Sequence, residues 1–175
     1  MPRRLRNFMA DDSGAAAIEM AGVGTLLIIG LMNAAEIGRY AYQAQNVNHA
    51  AQAGAEAALV ACDIDHTPAT QNCSGLQSAV TAAIQGTALG RTVQLNGGLT
   101  EGYYCRTNGG GLGLAGPVSN PPDDCSGVAN AAGGADPALY LSLTVQYIWQ
   151  PLFSGLTLAR TFNPYITRSA WMRMK

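Results

Sequence analysis

Charged side chains are scarce in this chain of 175 residues. Asp, Glu, Lys and Arg make up 12% of it, whereas a soluble globular domain carries about 25%. The net charge of -1 excludes a protein that binds nucleic acid through a broad basic surface, and it equally excludes an acidic disordered tail. Because 48% of the residues are apolar, we infer that part of the chain does not meet water.

Proline is absent between Pro2 and Pro68, and alanine, the best helix former, is abundant in that interval. The run from Met20 to Ala35 contains no charged side chain. Adding the residues from Ala15 gives about 20 positions interrupted only by Glu19, enough for a helix to cross a hydrocarbon core of ~30 Å. The sequence therefore predicts one long N-terminal helix, with residues 15–37 in a membrane.

The orientation follows from the arginines Arg3, Arg4 and Arg6, which precede the span. The positive-inside rule puts residues 1–14 in the cytoplasm as a leader and the C-terminus outside. The alternative is a secretory signal peptide that is removed. It is disfavoured because the helical pattern continues past Glu36 without a convincing cleavage site.

Beyond the membrane, residues 38–62 continue the helical pattern as its extracytoplasmic half. Small and apolar residues recur there at steps of three and four, which marks one face of a helix; they are Tyr40, Ala44, Val47, Ala51, Gly54 and Ala58. Inside the span, Gly30, Ala34 and Gly38 form a stripe at four-residue spacing. Such a stripe suits close helix–helix packing in lipid.

Glu19 is the one carboxylate near the start of the span, where an unpaired charge costs on the order of a few kcal/mol. If the chain began at Ala15, its ammonium would lie one turn away, about 6 Å along the axis. Glu19 could then neutralise that amine in the same subunit or in a neighbour. The alternative is a glutamate that reaches into the cytoplasmic headgroups, and spacing alone does not separate the two.

The sequence of residues 63–175 predicts a globular domain of α+β class, which we call the head. Leu76, Val80, Ala83 and Ile84 mark a short amphipathic helix. Strands are expected at 91–95, 102–106 and 138–149, with one or two more within 157–171 around Asn163-Pro164, and residues 107–137 are expected to form a flexible loop. A small antiparallel sheet packed on the outer half of the long helix would bury one face of each.

Four cysteines, Cys62, Cys73, Cys105 and Cys125, fall on the side predicted to be outside, where an oxidising compartment favours disulfides. Three pairings are possible; the local one, Cys62–Cys73 with Cys105–Cys125, stabilises each loop by about 3 kcal/mol in the chain-entropy model. A zinc site with His49 or His66 is the competing interpretation. It is disfavoured because the spacings fit no known finger or ribbon.

Other motifs in the head carry little weight. Residues 111–116 satisfy G-x-G-x-x-G, the dinucleotide fingerprint. That motif requires a following helix, which Pro117, Pro121 and Pro122 forbid. The aromatic residues could be core or binding surface, core being preferred for most of them; they are Tyr103, Tyr104, Tyr140, Tyr147 and Trp149. No catalytic constellation is present in the sequence, so we expect neither enzymatic activity nor a metal or cofactor.

The N-terminal segment carries a family resemblance. Gly14-Ala15-Ala16-Ala17-Ile18-Glu19-Met20 resembles the class III prepilin processing site of type IVb Flp/Tad pilins, with Met20 where those proteins have an aromatic residue. The stretch of residues 14–58, above all Ala17-Ile18-Glu19, Glu36-Ile37-Gly38-Arg39 and Ala50–Ala58, is similar to TadE-like minor pseudopilins of the tight-adherence (Tad) pilus. A segment around Gln150-Pro151-Leu152 is also similar to that family.

The resemblance implies a pilin-like fold, cleavage between Gly14 and Ala15 by the prepilin peptidase, and docking of the mature N-terminus by Glu19 during pilus assembly or initiation. It further implies other pilin and pseudopilin subunits and the inner-membrane assembly platform as partners, in tight adherence and biofilm formation. A TadF-type subunit is similar in size. The alternative function is a membrane-anchored extracytoplasmic binding protein, such as an adhesin or envelope scaffold, that is not built into a pilus.

Overall fold

The computed structural model describes residues 12–153, 155 and 157–175, so that most of the predicted leader lies outside the described residues. The fold is α+β, as predicted. The helices are α1 Asp12–Ala61, α2 Ala69–Asn72 and α3 Leu76–Gln85, and the strands are β1 Val93–Arg106, β2 Leu112–Pro117, β3 Ala138–Ile148 and β4 Tyr165–Arg173. Short 3₁₀ turns occupy Ile64–His66, Gly90–Thr92 and Leu158–Thr161.

Helix α1 is continuous over 50 residues, about 75 Å at 1.5 Å per residue. This confirms the long helix that the alanine-rich, proline-free sequence predicts. The part from Gly14 to Ala61 is long and apolar enough to cross a membrane, and the described part of the chain does not bury its most apolar segment.

The chain divides into two compact units, described separately below. The first combines the helix up to Ala41 with the segment Gln150–Asn163, which we call the return loop. The second contains Tyr42–Trp149 and Pro164–Lys175. This division differs from the sequence-based one, in which the whole of residues 63–175 formed the head, because the return loop associates with helix residues far from it in sequence.

In the second unit the four strands form an antiparallel sheet in the order β2-β1-β3-β4. Strand β3 alternates as predicted: Leu139, Leu141, Leu143 and Val145 are buried, whereas the residues between them are mostly half-buried. The last strand is single, because the 3₁₀ turn Leu158–Thr161 precedes Pro164 and β4 begins only after it.

The core of this unit lies between the sheet, α3 and the outer half of α1. Val47, Ala51 and Ala58 on the predicted helix face are completely buried. At Gly54 the approach is so close that a Cβ would lie 2.9 Å from Ile84 Cγ1 and 3.3 Å from Leu143 Cδ2. Small residues on α1 therefore let the helix lie directly against both neighbours.

Two expectations about β1 were wrong. Residues 91–95 and 102–106 do not form separate strands: Gly90–Thr92 is a 3₁₀ turn, and a single strand runs from Val93 to Arg106. Its pairing with β3 shifts register between Leu95 and Leu99. Gly97 and Gly98 there both have φ of 80°, a conformation that glycine adopts without a steric cost, so the strand bends without ending.

The expectation of a flexible loop over residues 107–137 was also wrong. Leu112–Pro117 pairs with β1 as an edge strand, so that the G-x-G-x-x-G motif, apart from Gly111, lies in a sheet. A Cβ at Gly113 would lie 2.4 Å from Val128 Cγ1. The close approach of the following loop therefore requires glycine at position 113.

Candidate assembly surface and return loop on the N-terminal helix

The residues of the predicted processing and assembly site lie along the first turns of α1. Gly14, Ala15, Glu19 and Met20 are all helical and exposed, Met20 to 73%. A Cβ at Gly14 would meet nothing within 4 Å in the described part of the chain. The structure thus presents these four residues on a bare helix, where another protein or lipid can reach them.

The small-residue stripe lies farther along the same bare segment. Gly30, Ala34 and Gly38 are exposed, and a Cβ on either glycine would meet no described atom within 4 Å. Glu19 precedes Gly30 by eleven residues, which is three helical turns to within about 20°. Glu19 and the start of the stripe therefore share one side of the helix.

The return loop packs on a different side, through polar side chains of the helix. The contact nearest the start of the helix is at Asn33, whose Oδ1 accepts a hydrogen bond from Leu158 N at 2.8 Å and one from Thr157 Oγ1 at 3.3 Å. The Asn33 amide in turn donates to Ile29 O at 2.8 Å. Both polar atoms of the Asn33 side chain are therefore used: Oδ1 holds the loop, and Nδ2 fixes the orientation of the amide.

One turn farther along, Glu36 forms the central contact. Its Oε1 accepts hydrogen bonds from the backbone N–H groups of Leu152, at 2.6 Å, and Phe153, at 3.2 Å. The side chain is only 1% exposed, although it begins at the edge of an apolar span. A carboxylate in such a place requires donors, and two backbone amides of the return loop supply them.

Two further contacts lie at the start of the loop and near its end. Arg39 donates from Nη2 to the carbonyl oxygen of Gln150, and the Tyr40 ring lies 4.9 Å, centroid to centroid, from that of Phe162. Tyr40, which the sequence predicts on one face of the outer helix, thus packs its ring against the return loop. Asn33, Glu36 and Tyr40 follow one another at steps of three and four, so they form one face of α1.

That face differs from the small-residue stripe. At 100° per residue, Glu36 lies about 160° around the helix from Ala34, and Asn33 lies about 100° from it. The return loop leaves Gly30, Ala34 and Gly38 exposed. Helix–helix packing through the stripe and attachment of the loop do not compete for the same surface.

Sequence reasoning did not find this attachment. It singled out Glu36 and Arg39, and also Gln150-Pro151-Leu152, only as carriers of the family resemblance. The available signal was the recurrence of Asn33, Glu36 and Tyr40 on one face at the end of an otherwise apolar span. Polar groups there need partners, and the nearby chain does not provide them.

The cysteines form two local disulfides, Cys62–Cys73 and Cys105–Cys125, with Cα–Cα distances of 5.7 and 5.8 Å. None of the four sulfurs is a free thiol, so none can act as a thiolate ligand for zinc. His49 and His66 are exposed. The second disulfide lies beside an acidic group: hydrogen bonds from the Ser126 hydroxyl and N–H lower the pKa of Asp124 below its ordinary value.

The aromatic residues of the head divide between core and surface. Trp149 is 2% exposed and belongs to the core, whereas the four tyrosines are half-buried. Tyr104 contacts Tyr140 edge to face, with centroids 6.1 Å apart, and Trp171 in the same manner at 5.0 Å. The sequence reasoning did not include Trp171 in the aromatic cluster, because Trp171 on β4 meets Tyr104 on β1, and strand β3 lies between them in the sheet.

One protein family matches the part of α1 that carries the predicted processing and assembly residues. Residues 14–56 match the TadE-like protein family. The TadE-like segment covers about a quarter of the chain, and it includes the predicted processing site, Glu19, the small-residue stripe and Glu36. No curated protein and no solved structure matches the chain. The TadE-like match supports involvement in the Tad pilus system, and the single apolar helix is consistent with a single-pass membrane protein.

Proposed function

We propose that the chain is a non-catalytic minor pseudopilin of a Tad/Flp type IVb pilus. It is anchored in the inner membrane by residues 15–37 and carries its head in the periplasm. The observation that supports this most strongly is the exposed N-terminal part of α1, which matches the TadE-like family and has Gly14 and Glu19 in the prepilin spacing. Prepilin peptidase, other pilin subunits and the assembly platform are its partners in this proposal.

The proposed mechanism has two steps. Cleavage after Gly14 creates an ammonium at Ala15, and Glu19, one turn away, neutralises it within the subunit or on a neighbour. The stripe of Gly30, Ala34 and Gly38 then lets a second helix approach closely, since small residues permit backbone contact in lipid. Both features lie on parts of α1 that the described protein leaves bare.

The first test is mass spectrometry of the protein purified from membranes that contain its cognate peptidase. We expect a mature N-terminus at Ala15. A Gly14→Leu variant is the matched control and should stay unprocessed, because the spacing is kept but the small residue before the cleaved bond is lost. A wild-type N-terminus at Gly14 or earlier would contradict the processing step.

The second test concerns Glu19. We expect Glu19→Ala to insert into the membrane normally but to abolish pilus assembly, measured by electron microscopy of piliated cells. Glu56→Ala is the control, since Glu56 is exposed on the same helix and outside the span. Normal piliation in the Glu19 variant would remove the role assigned to that residue.

The aromatic surface of the head favours a second candidate, a membrane-anchored binding protein outside the pilus. Trp171 is 47% exposed beside Tyr104, and exposed aromatic residues are common in binding surfaces. The discriminating observation is the genomic neighbourhood: genes for an assembly ATPase and a prepilin peptidase accompany a pseudopilin. Their absence, with no change in piliation on deletion of the chain, would favour the second candidate.

A further inference from the structure

The return loop exposes three large apolar side chains. Leu152 is 68% exposed, Leu158 69% and Phe153 39%. These three residues lie on one short loop whose backbone is held against the helix, so they cannot turn inward without breaking the hydrogen bonds to Asn33 and Glu36. A fixed cluster of large apolar side chains on a surface indicates an apolar partner.

The hydrogen bonds fix the position of the loop along the helix. Leu158 is level with Asn33, which lies inside the uncharged run from Met20 to Ala35. Gln150 is level with Arg39, six residues or about 9 Å farther out. The loop thus reaches from the outer end of the span back to its last turn.

The exposed apolar part of the helix ends close to the loop. Its residues are large and uncharged, as lipid-facing residues are; they are Ile18, Met20, Val23, Leu26, Leu27, Ile28 and Leu31. Leu31 precedes Asn33, the residue that holds Leu158, by two positions or about 3 Å along the axis, so lipid that covers Leu31 would also be near Leu158.

The backbone of the loop also suits the edge of a bilayer. Irregular backbone is tolerated near hydrocarbon only when its polar groups have partners in the protein. The N–H groups of Leu152 and Phe153 donate to Glu36, that of Leu158 to Asn33, and that of Ala159 to Thr157 Oγ1. Pro151 has no N–H to satisfy.

We propose that the return loop lies at the outer boundary between hydrocarbon and headgroups, with Leu152, Phe153 and Leu158 in lipid. The proposal rests on the membrane span of the proposed function. Arg160, exposed and two residues after Leu158, is then within reach of lipid phosphates, as long basic side chains at this boundary are. The loop shields the Glu36 carboxylate from lipid and gives the anchor a second point of contact with the bilayer.

The test uses the full chain in vesicles of phosphatidylethanolamine and phosphatidylglycerol, with a nitroxide attached to Leu158→Cys. Collisions with oxygen, which concentrates in lipid, are compared by electron paramagnetic resonance with collisions with a water-soluble nickel chelate. Leu27→Cys is the lipid reference and Gln52→Cys, exposed on the same helix, is the water reference. We expect the label at 158 to favour oxygen several-fold more than the label at 52.

The outcomes separate a failure of the loop proposal from a failure of the proposed membrane span. If the label at 158 resembles that at 52 while the label at 27 is in lipid, the loop proposal is overturned and the membrane span stands. A water-exposed label at 27 overturns both. Protection of 158 from both reagents that grows with the protein-to-lipid ratio shows that a second copy covers the loop, which also overturns the proposal.

A second labelling site tests whether the substitution at 158 itself disturbs the loop. Leu152→Cys should give the same preference for oxygen, because Leu152 lies on the same surface and is held by Glu36. Mass analysis of each variant before labelling must show both native disulfides and one free thiol. Disagreement between 152 and 158 in correctly folded protein would contradict a loop that lies in lipid as a unit.

Discussion

Glu36→Ala removes the acceptor that holds the amides of Leu152 and Phe153. A hydrogen bond to a charged acceptor contributes about 1.5–3 kcal/mol net. The 3.2 Å bond from Phe153 is at the weak end of normal geometry, and Oε2 of Glu36 is buried with no hydrogen-bond partner among the described residues, which offsets part of the gain. We therefore expect the variant to weaken attachment of the return loop by about 2–4 kcal/mol.

Hydrogen exchange of the full chain in detergent micelles measures this directly. A loss of about 2–4 kcal/mol predicts about 30- to 700-fold faster exchange of the two amides, at 1.4 kcal/mol per tenfold change. Exchange within β3 should not change. Glu36→Gln keeps a neutral acceptor and should have a smaller effect, and Glu56→Ala, on the exposed surface of the same helix, should have none. Unchanged exchange of Leu152 and Phe153 in Glu36→Ala would refute the role of the carboxylate.

Two further predictions concern the head. Gly113→Ala should lower the free energy of unfolding, measured in urea, by about 1–3 kcal/mol, because the added Cβ would lie 2.4 Å from Val128 Cγ1. Gly109→Ala is the control, since nothing in the described chain lies within 4 Å of a Cβ there. Equal effects of the two substitutions would contradict the close approach at Gly113. By NMR, Ser126→Ala should raise the pKa of Asp124 toward its ordinary value, since the Ser126 hydroxyl is the main cause of the lowering. Because the folded pKa is the lower one, the associated stabilisation is present above the unfolded-state pKa and is lost as the pH falls through the folded pKa; an unaltered pKa in the variant would assign the lowering to another group.

Local and periodic features of the fold could be predicted from the sequence. The long helix follows from alanine content and the absence of proline, α3 from the apolar positions of its one buried face, and β3 from its strict alternation. Each of these depends on residues a few positions apart, and the burial of Leu76, Val80 and Ile84 in α3 confirms the pattern. The local disulfides follow the same rule, since each closes a short loop.

Features set by distant contacts could not be predicted in the same way. Strand β2 contains two glycines among its six residues, and glycine is a poor strand former. It forms because β1 offers a partner and because Val128 packs into the space that Gly113 leaves. Likewise, the bend in β1 at Gly97 and Gly98 was interpreted as a break between strands, because the pairing with β3 that continues beyond it is not visible in the local sequence.

In the candidate site, too, the local features could be predicted and the long-range contacts could not. Gly14, Ala15, Glu19 and Met20 are a contiguous motif and could be recognised as one. The return loop attaches across 116 residues from Glu36 to Leu152, and no local pattern encodes that distance. The polar side chains at the end of the span show only that partners are needed there.

The two ends of the return loop meet where β3 gives way to β4. Ile148 pairs with Tyr165 as the outermost of the strand pairs, and Trp149 N donates to Pro164 O at 2.7 Å just beyond them. Because this neck is closed by the sheet itself, the register of both strands is independent of what the loop contains. We therefore expect that changes in the length or the apolar residues of the loop leave the pairing of β3 with β4 intact.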